Sequence, residues 1–203
     1  EIESTGRFVI VDNFDIAGGG IITGSEESQA SWLDTHVSLR EKQWEHGLVT
    51  RGNRVARNNH DSRFVLVTGF NSRNIAVELE KQLFRAGFNS YYLSDTTLRA
   101  GIDAELSSDD FNENKTYRIG EIGRILTDAG FIFITALDEC DEYEIEIIRQ
   151  LNAPEPVFVA AVNRNNCDQK HDMVLSINDS VESASLKVTH KLKEVGIISD
   201  YVI

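Results

Sequence analysis

The chain has 203 residues, 41% of them hydrophobic and 26% charged, enough for one large domain or a medium domain with an appendage. Its net charge of −13, from 33 acidic residues against 20 lysines and arginines, supplies no basic stripe and argues against broad nucleic-acid binding. No apolar run is long enough for a membrane span, and Cys140 and Cys167 have neither disulfide-framework nor metal-site spacing, so a cytoplasmic location is expected. The first residue is Glu1 and no signal-peptide pattern follows, so a fragment of a longer protein is expected.

In chain order, Arg7–Asp12 has a strand pattern, and Gly18-Gly19-Gly20 leads into Ile21-Ile22. No Lys-Ser/Thr follows these glycines, so they predict a turn or bulge between two strands rather than a phosphate loop. Two strands alone are marginal in water, and residues 1–24 are expected to be the remnant of an upstream β-barrel. Residues 25–43 read as a polar linker or helix, with Trp32, Val37 and Leu39 as docking points. Thr50 is a suitable N-cap for a short helix through Arg57. His46 and His60 lack ligand partners at helical spacing and predict hydrogen-bonded structural roles.

From residue 64 the pattern alternates. Strands are predicted near 64–68, 90–93, 131–136, 157–162 and 173–177, and helices over 74–86, 113–129, 142–151 and 181–195. Gly87, Gly130 and Gly196 each fall just past a helix, where a left-handed residue is wanted. The unbroken apolar runs Phe131–Ile134 and Val157–Ala160 suit parallel strands covered on both faces. Residues 44–203 therefore predict a three-layer α/β domain, P-loop NTPase-like, with a mainly parallel sheet. The acidic stretch from Asp138 to Glu146 reads as a solvated helix start.

The first strand–helix junction reads Thr68-Gly69-Phe70-Asn71-Ser72-Arg73-Asn74. A working phosphate loop wraps phosphates with the backbone N–H groups of several glycines, reaches the outer phosphates with a lysine and holds Mg²⁺ with a Ser/Thr hydroxyl. Here there is one glycine and no Gly-Lys-Ser/Thr.

The strings Trp44-Glu45-His46-Gly47-Leu48-Val49-Thr50-Arg51, Val67-Thr68-Gly69, Leu98-Arg99-Ala100-Gly101, Arg118-Ile119-Gly120-Glu121 and Asp128-Ala129-Gly130-Phe131 resemble those of adenylylsulfate (APS) kinase, in order, over about 44–196. Gly6–Asp12 is similar to the closing strands of the translation-factor-like GTPase that forms the large subunit of sulfate adenylyltransferase, to which an APS kinase can be fused. The resemblance implies an APS-kinase fold, and it also marks departures. The family's Gly-x-x-Gly-x-Gly-Lys-Ser/Thr is shortened. Its Asp-Gly-Asp-Asn run is Ser94-Asp95-Thr96-Thr97 here, so Thr96 stands where the family has its second aspartate and cannot serve as a base. The histidine after the substrate arginine is Ala100, and 162–171 leave no room for the family's basic, aromatic lid.

A catalytically inactive APS-kinase-like domain is expected, with a structural, regulatory or anion-sensing role in a sulfate-activation protein. No catalytic or metal residue is assigned. Gly69, Ser72, Arg73, Asn74, Arg99 and Arg118 are the candidates for a residual anion or nucleotide site, with the two last equally open to ion pairs with nearby acids. The alternatives are an active kinase or related phosphotransferase with a non-standard loop, for which alone ATP and Mg²⁺ are expected, and a partner-binding module unrelated to sulfur metabolism. Expected partners are the upstream GTPase or barrel domain, a homo-oligomer, and APS or another small anion.

Overall fold

The computed structural model describes residues 7–12, 15–21, 29–163 and 171–199. Two sheets form. In the first, β1 (Arg7–Asp12) pairs antiparallel with β2 (Asp15–Ile21). Gly18, Gly19 and Gly20 lie inside β2, opposite Ile10, Val9 and Phe8, rather than in a turn; the register shifts between Ile10 and Val11. A glycine run can join a ladder because pairing needs only the backbone.

The second sheet has five parallel strands in the order β4-β5-β3-β6-β7: β3 (Arg63–Gly69), β4 (Ser90–Tyr92), β5 (Ile132–Leu137), β6 (Val157–Asn163) and β7 (Met173–Ser176). Central strand β3 pairs with β5 and β6, which explains its unbroken apolar run. Side-chain alternation splits that run between two cores. Val65 and Val67 pack with Ile75 and Leu79 of α3 (Ser72–Arg85) and Val188 of α7 (Val181–Glu194). Phe64 and Leu66 pack on the other face, with Leu98 of α4 (Asp95–Ala100), Ile119 of α5 (Ser108–Asp128) and Ile148 of α6 (Glu142–Asn152). The expected three-layer α/β architecture is present.

Helix starts moved where caps overrode periodicity. Ser107 caps α5 through the Asp110 amide, so α5 opens five residues before the predicted 113. Ser94 caps α4, a helix absent from those the periodicity predicts, by accepting from the Thr97 amide. Thr50 caps α2 (Arg51–Asn58) as expected, in a capping box with Asn53. Gly87, Gly130 and Gly196 have φ of 85°, 89° and 75°, the left-handed geometry expected of them.

Residues 29–43 are helical as α1 (Gln29–Gln43). Its anchor is Leu33, which is buried against Ile147 and Leu151, with Val37 partly buried beside them. Leu39, named as a docking point, is 51% exposed, and Trp32 is half-exposed, stacking on His36 and meeting the Tyr117 edge. Arg124 ties α1 to α5: Nε and Nη2 donate to the two Glu41 carboxylate oxygens at 3.2 and 3.0 Å, under the Trp44 ring. Burial would raise the Glu41 pKa, but the hydrogen bonds and charges of Arg124 and Arg40 outweigh it and hold it below the ordinary 4.5.

Candidate functional site

In an open parallel sheet, ligands bind beyond the carboxyl ends of strands where successive connections part to opposite faces. Here α3 leaves β3 for one face and α6 follows β5 onto the other. The parting point holds the turn after β3 and the segment after β5. A shallow cavity of 440 Å³ lies there, lined by Gly69, Asn71, Arg73, Asn74, Asp138 and Glu139 among others.

Only Phe70 and Asn71 separate β3 from α3. Gly69 has φ of 91°, and a Cβ there would stand 2.3 Å from the Val162 carbonyl oxygen, so the close approach of β6 requires glycine. Asn71, with φ of 62°, starts the helix in the left-handed region and makes no side-chain cap. Such a short turn brings α3 in directly, beginning at Ser72 rather than at the predicted Asn74. Asn74 Nδ2 donates to the Asn71 side-chain oxygen.

Ser72 is fully buried and its hydroxyl donates to Asp138 Oδ1 at 2.7 Å. Asp138 is one residue past β5. The sequence reading placed it in a solvated helix start; the rest of that stretch does form one, capped by Asp141, but Asp138 belongs to the site. Its signal was its position, directly after a buried strand adjacent to the phosphate-turn strand. Tyr92, at the end of β4, was also missed. Its hydroxyl is buried without a hydrogen-bond partner, and burial pushes its pKa up, with Arg73, Asp95 and Asp138 close enough to contribute.

Arg73, a candidate anion ligand, is engaged. Its guanidinium donates to Asp95 Oδ1 at 2.8 Å and Thr96 Oγ1 at 3.2 Å, joining α3 to α4. Thr96 is thus a hydrogen-bond acceptor for Arg73. Arg99 donates to Ser108 Oγ at 2.6 Å and lies over the Phe111 ring. Arg118 takes the ion-pair alternative: its Nε is 3.3 Å from Asp103 Oδ1. Asp103 is 2% exposed, and neither carboxylate oxygen has a hydrogen bond. Arg118 also stands at the rim of a largely apolar cavity of 610 Å³ between α1 and α5, with Trp32, Tyr117 and Ile125 in its wall.

The structure therefore brings Gly69, Arg73 and Asn74 to one cavity, buries Ser72 against Asp138 of its wall, and engages Arg99 and Arg118 with other partners. Among the described residues no three His, Cys, Asp or Glu side chains gather at metal-binding distance. Burial, with Glu144 and Asp141 nearby, pushes the Cys140 pKa up to about 12, which disfavours the thiolate. Cys167 and the core of the 162–171 segment, from which a missing lid was inferred, lie outside the described residues. No helix among the described residues is long and apolar enough to cross a membrane.

The profile of the family described as adenylylsulphate kinase matches residues 61–171. The adenylyl-sulfate kinase of Staphylococcus carnosus is 39% identical over 98 residues, 46% of this chain and 49% of that protein, so the chain spans about half of it. The adenylyl-sulfate kinase of Buchnera aphidicola from Acyrthosiphon pisum is 34% identical over 163 residues, 78% of this chain and 73% of that protein. Among solved structures, Mycobacterium tuberculosis APS kinase in complex with AMPPNP and APS superposes with a TM-score of 0.58 at 16% identity, covering 66% of this chain and 99% of that one. The hexameric APS kinase from Thiobacillus denitrificans gives 0.61 at 15% identity, over 90% of this chain and 39% of that one. At such identities these two structures speak for the fold. A profile that takes in more than half of the chain, with a relative a third identical over most of it, makes this chain a member of the adenylylsulphate kinase family.

Proposed function

We propose that this chain is an APS-kinase-family domain that has lost phosphoryl transfer and acts as a structural or regulatory element, sensing a small sulfate- or phosphate-bearing anion of the APS type. One observation carries the reading: two residues, Phe70 and Asn71, join β3 to α3. A triphosphate needs a loop arched around it, with successive N–H groups pointing inward and a lysine at the outer phosphates. A two-residue turn supplies neither. Arg73 offers the nearest positive charge, and it is held by Asp95. Phosphoryl transfer rests on positioning and electrostatic stabilisation, and removal of one stabilising donor costs about 10²–10³ in rate.

The sensing role would fall to Arg118, at the rim of the apolar cavity between α1 and α5, with an anion displacing Asp103. Docking to an upstream barrel domain, and self-association, belong to the same reading. Calorimetric titration of the chain with APS tests it. Binding that Arg118→Gln weakens by about tenfold or more supports it, since a charge-assisted contact is lost. APS binding indifferent to Arg118→Gln and Arg99→Gln would rule out the sensor.

The second reading, an active kinase with a non-standard loop, is favoured by the Ser72–Asp138 pair. A hydroxyl and a carboxylate at the carboxyl ends of adjacent strands are oxygen donors that suit Mg²⁺, which takes its other ligands from water and substrate phosphates. Under this reading Ser72 and Asp138 would hold the ion, which would supply positive charge to offset that of the ATP phosphates. ATP affinity that depends on Mg²⁺ and is lost in Asp138→Asn would support it.

A further inference from the structure

The opposite end of the sheet carries a third cavity, which the phosphate-turn site does not touch. Gly87 and Asn89 lead into β4 and Ala129 precedes β5, so this 520 Å³ cleft lies at the amino ends of the strands. Its polar wall consists of Arg54, Arg57, Asn53, Asn58 and Asn89, with no carboxylate. That is unusual for a chain with 33 acidic residues and a net charge of −13.

The three arginines of α2 are treated differently. Arg51 is paired with Asp61 at 2.6 Å and with Glu155 at 2.9 Å. Arg54 and Arg57, one and two turns on, make no ion pair or side-chain hydrogen bond among the described residues. Arg54 is also fixed in place. Its stem packs on Gly130, where a Cβ would be 2.9 Å from the Arg54 Cβ and 3.2 Å from its Cδ. Asn58 Nδ2 donates to the Gly130 carbonyl at 3.1 Å, which leaves one amide hydrogen free. The Arg54 Nε is buried with no acceptor. A shielded guanidinium N–H without a partner is costly unless something fills that role.

Helix carboxyl ends offer a competing account, because α2, α3 and α5 all finish near this cleft and their carbonyl ends attract cations. Neither guanidinium donates to a terminal carbonyl among the described residues, however, and partial charges leave two full ones incompletely balanced.

We propose that this cleft binds a small molecule bearing a phosphate or sulfate group, held by the forked guanidiniums of Arg54 and Arg57 and by the carboxamides of Asn58 and Asn89. Guanidinium forks match tetrahedral oxyanions in geometry and charge. The volume exceeds that of one such ion and falls within the range of small-molecule pockets, so the cleft has room for an organic body beside the charged group. This site is independent of the phosphate turn, and either assignment can fail without the other.

The test is calorimetric titration of the whole chain with inorganic phosphate, inorganic sulfate and adenosine monophosphate. Arg54→Gln, Arg57→Gln and Arg73→Gln are measured in parallel, with thermal melts to establish folding. The expected result is saturable binding that weakens about tenfold in Arg57→Gln, an exposed position, and in Arg54→Gln, and that is unchanged in Arg73→Gln. Tighter binding of the monophosphate ester than of the free ions identifies an esterified ligand; equal binding identifies the free oxyanion as the source. Absence of binding by all three probes overturns the proposal. So does binding that survives both cleft variants, or a loss of stability in those variants with no anion effect, which would leave the arginines as partners of the helix ends.

Discussion

At the residue scale, the phosphate turn is fixed by groups that cannot be exchanged freely. Gly69→Ala would force a Cβ to 2.3 Å from a backbone oxygen at a φ of 91°, and neither strand can yield. A loss of at least about 2 kcal/mol in urea unfolding is expected. Ser72→Ala removes the donor to Asp138 and should cost about 1 kcal/mol. His60 provides a pH signature. The Asn89 amide donates to its Nε2 at 3.2 Å, which leaves Nδ1–H to donate to the Asp61 carbonyl at 2.8 Å, so the neutral ring is the one that fits. Burial holds its pKa below the ordinary 6.5, against the opposing pull of Asp61. The unfolded chain therefore takes up the proton first as pH falls. This contribution is complete above pH 6.5 and is lost as pH drops through the folded pKa. Unfolding midpoints measured from neutral pH to about pH 5 should fall, with a shallower slope in His60→Gln. The structural role of His60 was legible because its sequence neighbourhood held no ligand partner. Asp138 was not, although it stands directly after a buried strand, because the carboxylates that follow it give the whole stretch the look of a solvated helix start.

At the element scale, legibility followed the strength of the local signal. The apolar runs of β5 and β6 and the three helix-ending glycines fixed those elements to within a residue or so. The starts of α4 and α5 depended on serine caps at Ser94 and Ser107, each one polar residue among many. Glycines within α5 carried a signal that periodicity could not expose. At Gly123 a Cβ would lie 2.4 Å from the Phe64 ring, so the helix meets the sheet only because that position is bare. Gly123→Ala should destabilise by about 1–3 kcal/mol through overpacking, despite the better helix propensity of alanine. Helix α1 presents the reverse case, anchored by buried Leu33 with Val37 beside it while Trp32 and Leu39 stay half-exposed. Leu33→Ala is expected to cost about 2–3 kcal/mol, and hydrogen exchange should show α1 opening while the β3–β6 ladder stays protected.

At the scale of the whole molecule, the five-stranded parallel sheet is complete and two residues join β3 to α3. The sheet order places Ser72 and Asp138 where a ligand would sit, and no single stretch of sequence could reveal that meeting of residues from two loops. The Arg73–Asp95 and Arg118–Asp103 pairs occupy positive charge that the sequence left available, so an anion must displace a carboxylate to reach it. The central claim is that the fold has outlived the phosphoryl transfer. The direct measurement is transfer of the γ-phosphoryl group of ATP to APS, with Mg²⁺ and saturating substrates, followed over long incubation beside an active family member as control. The account predicts no product above the enzyme-free rate, and no change in that result for Asp138→Asn. APS-dependent turnover that vanishes in Asp138→Asn would contradict it and establish a kinase working from a two-residue phosphate turn.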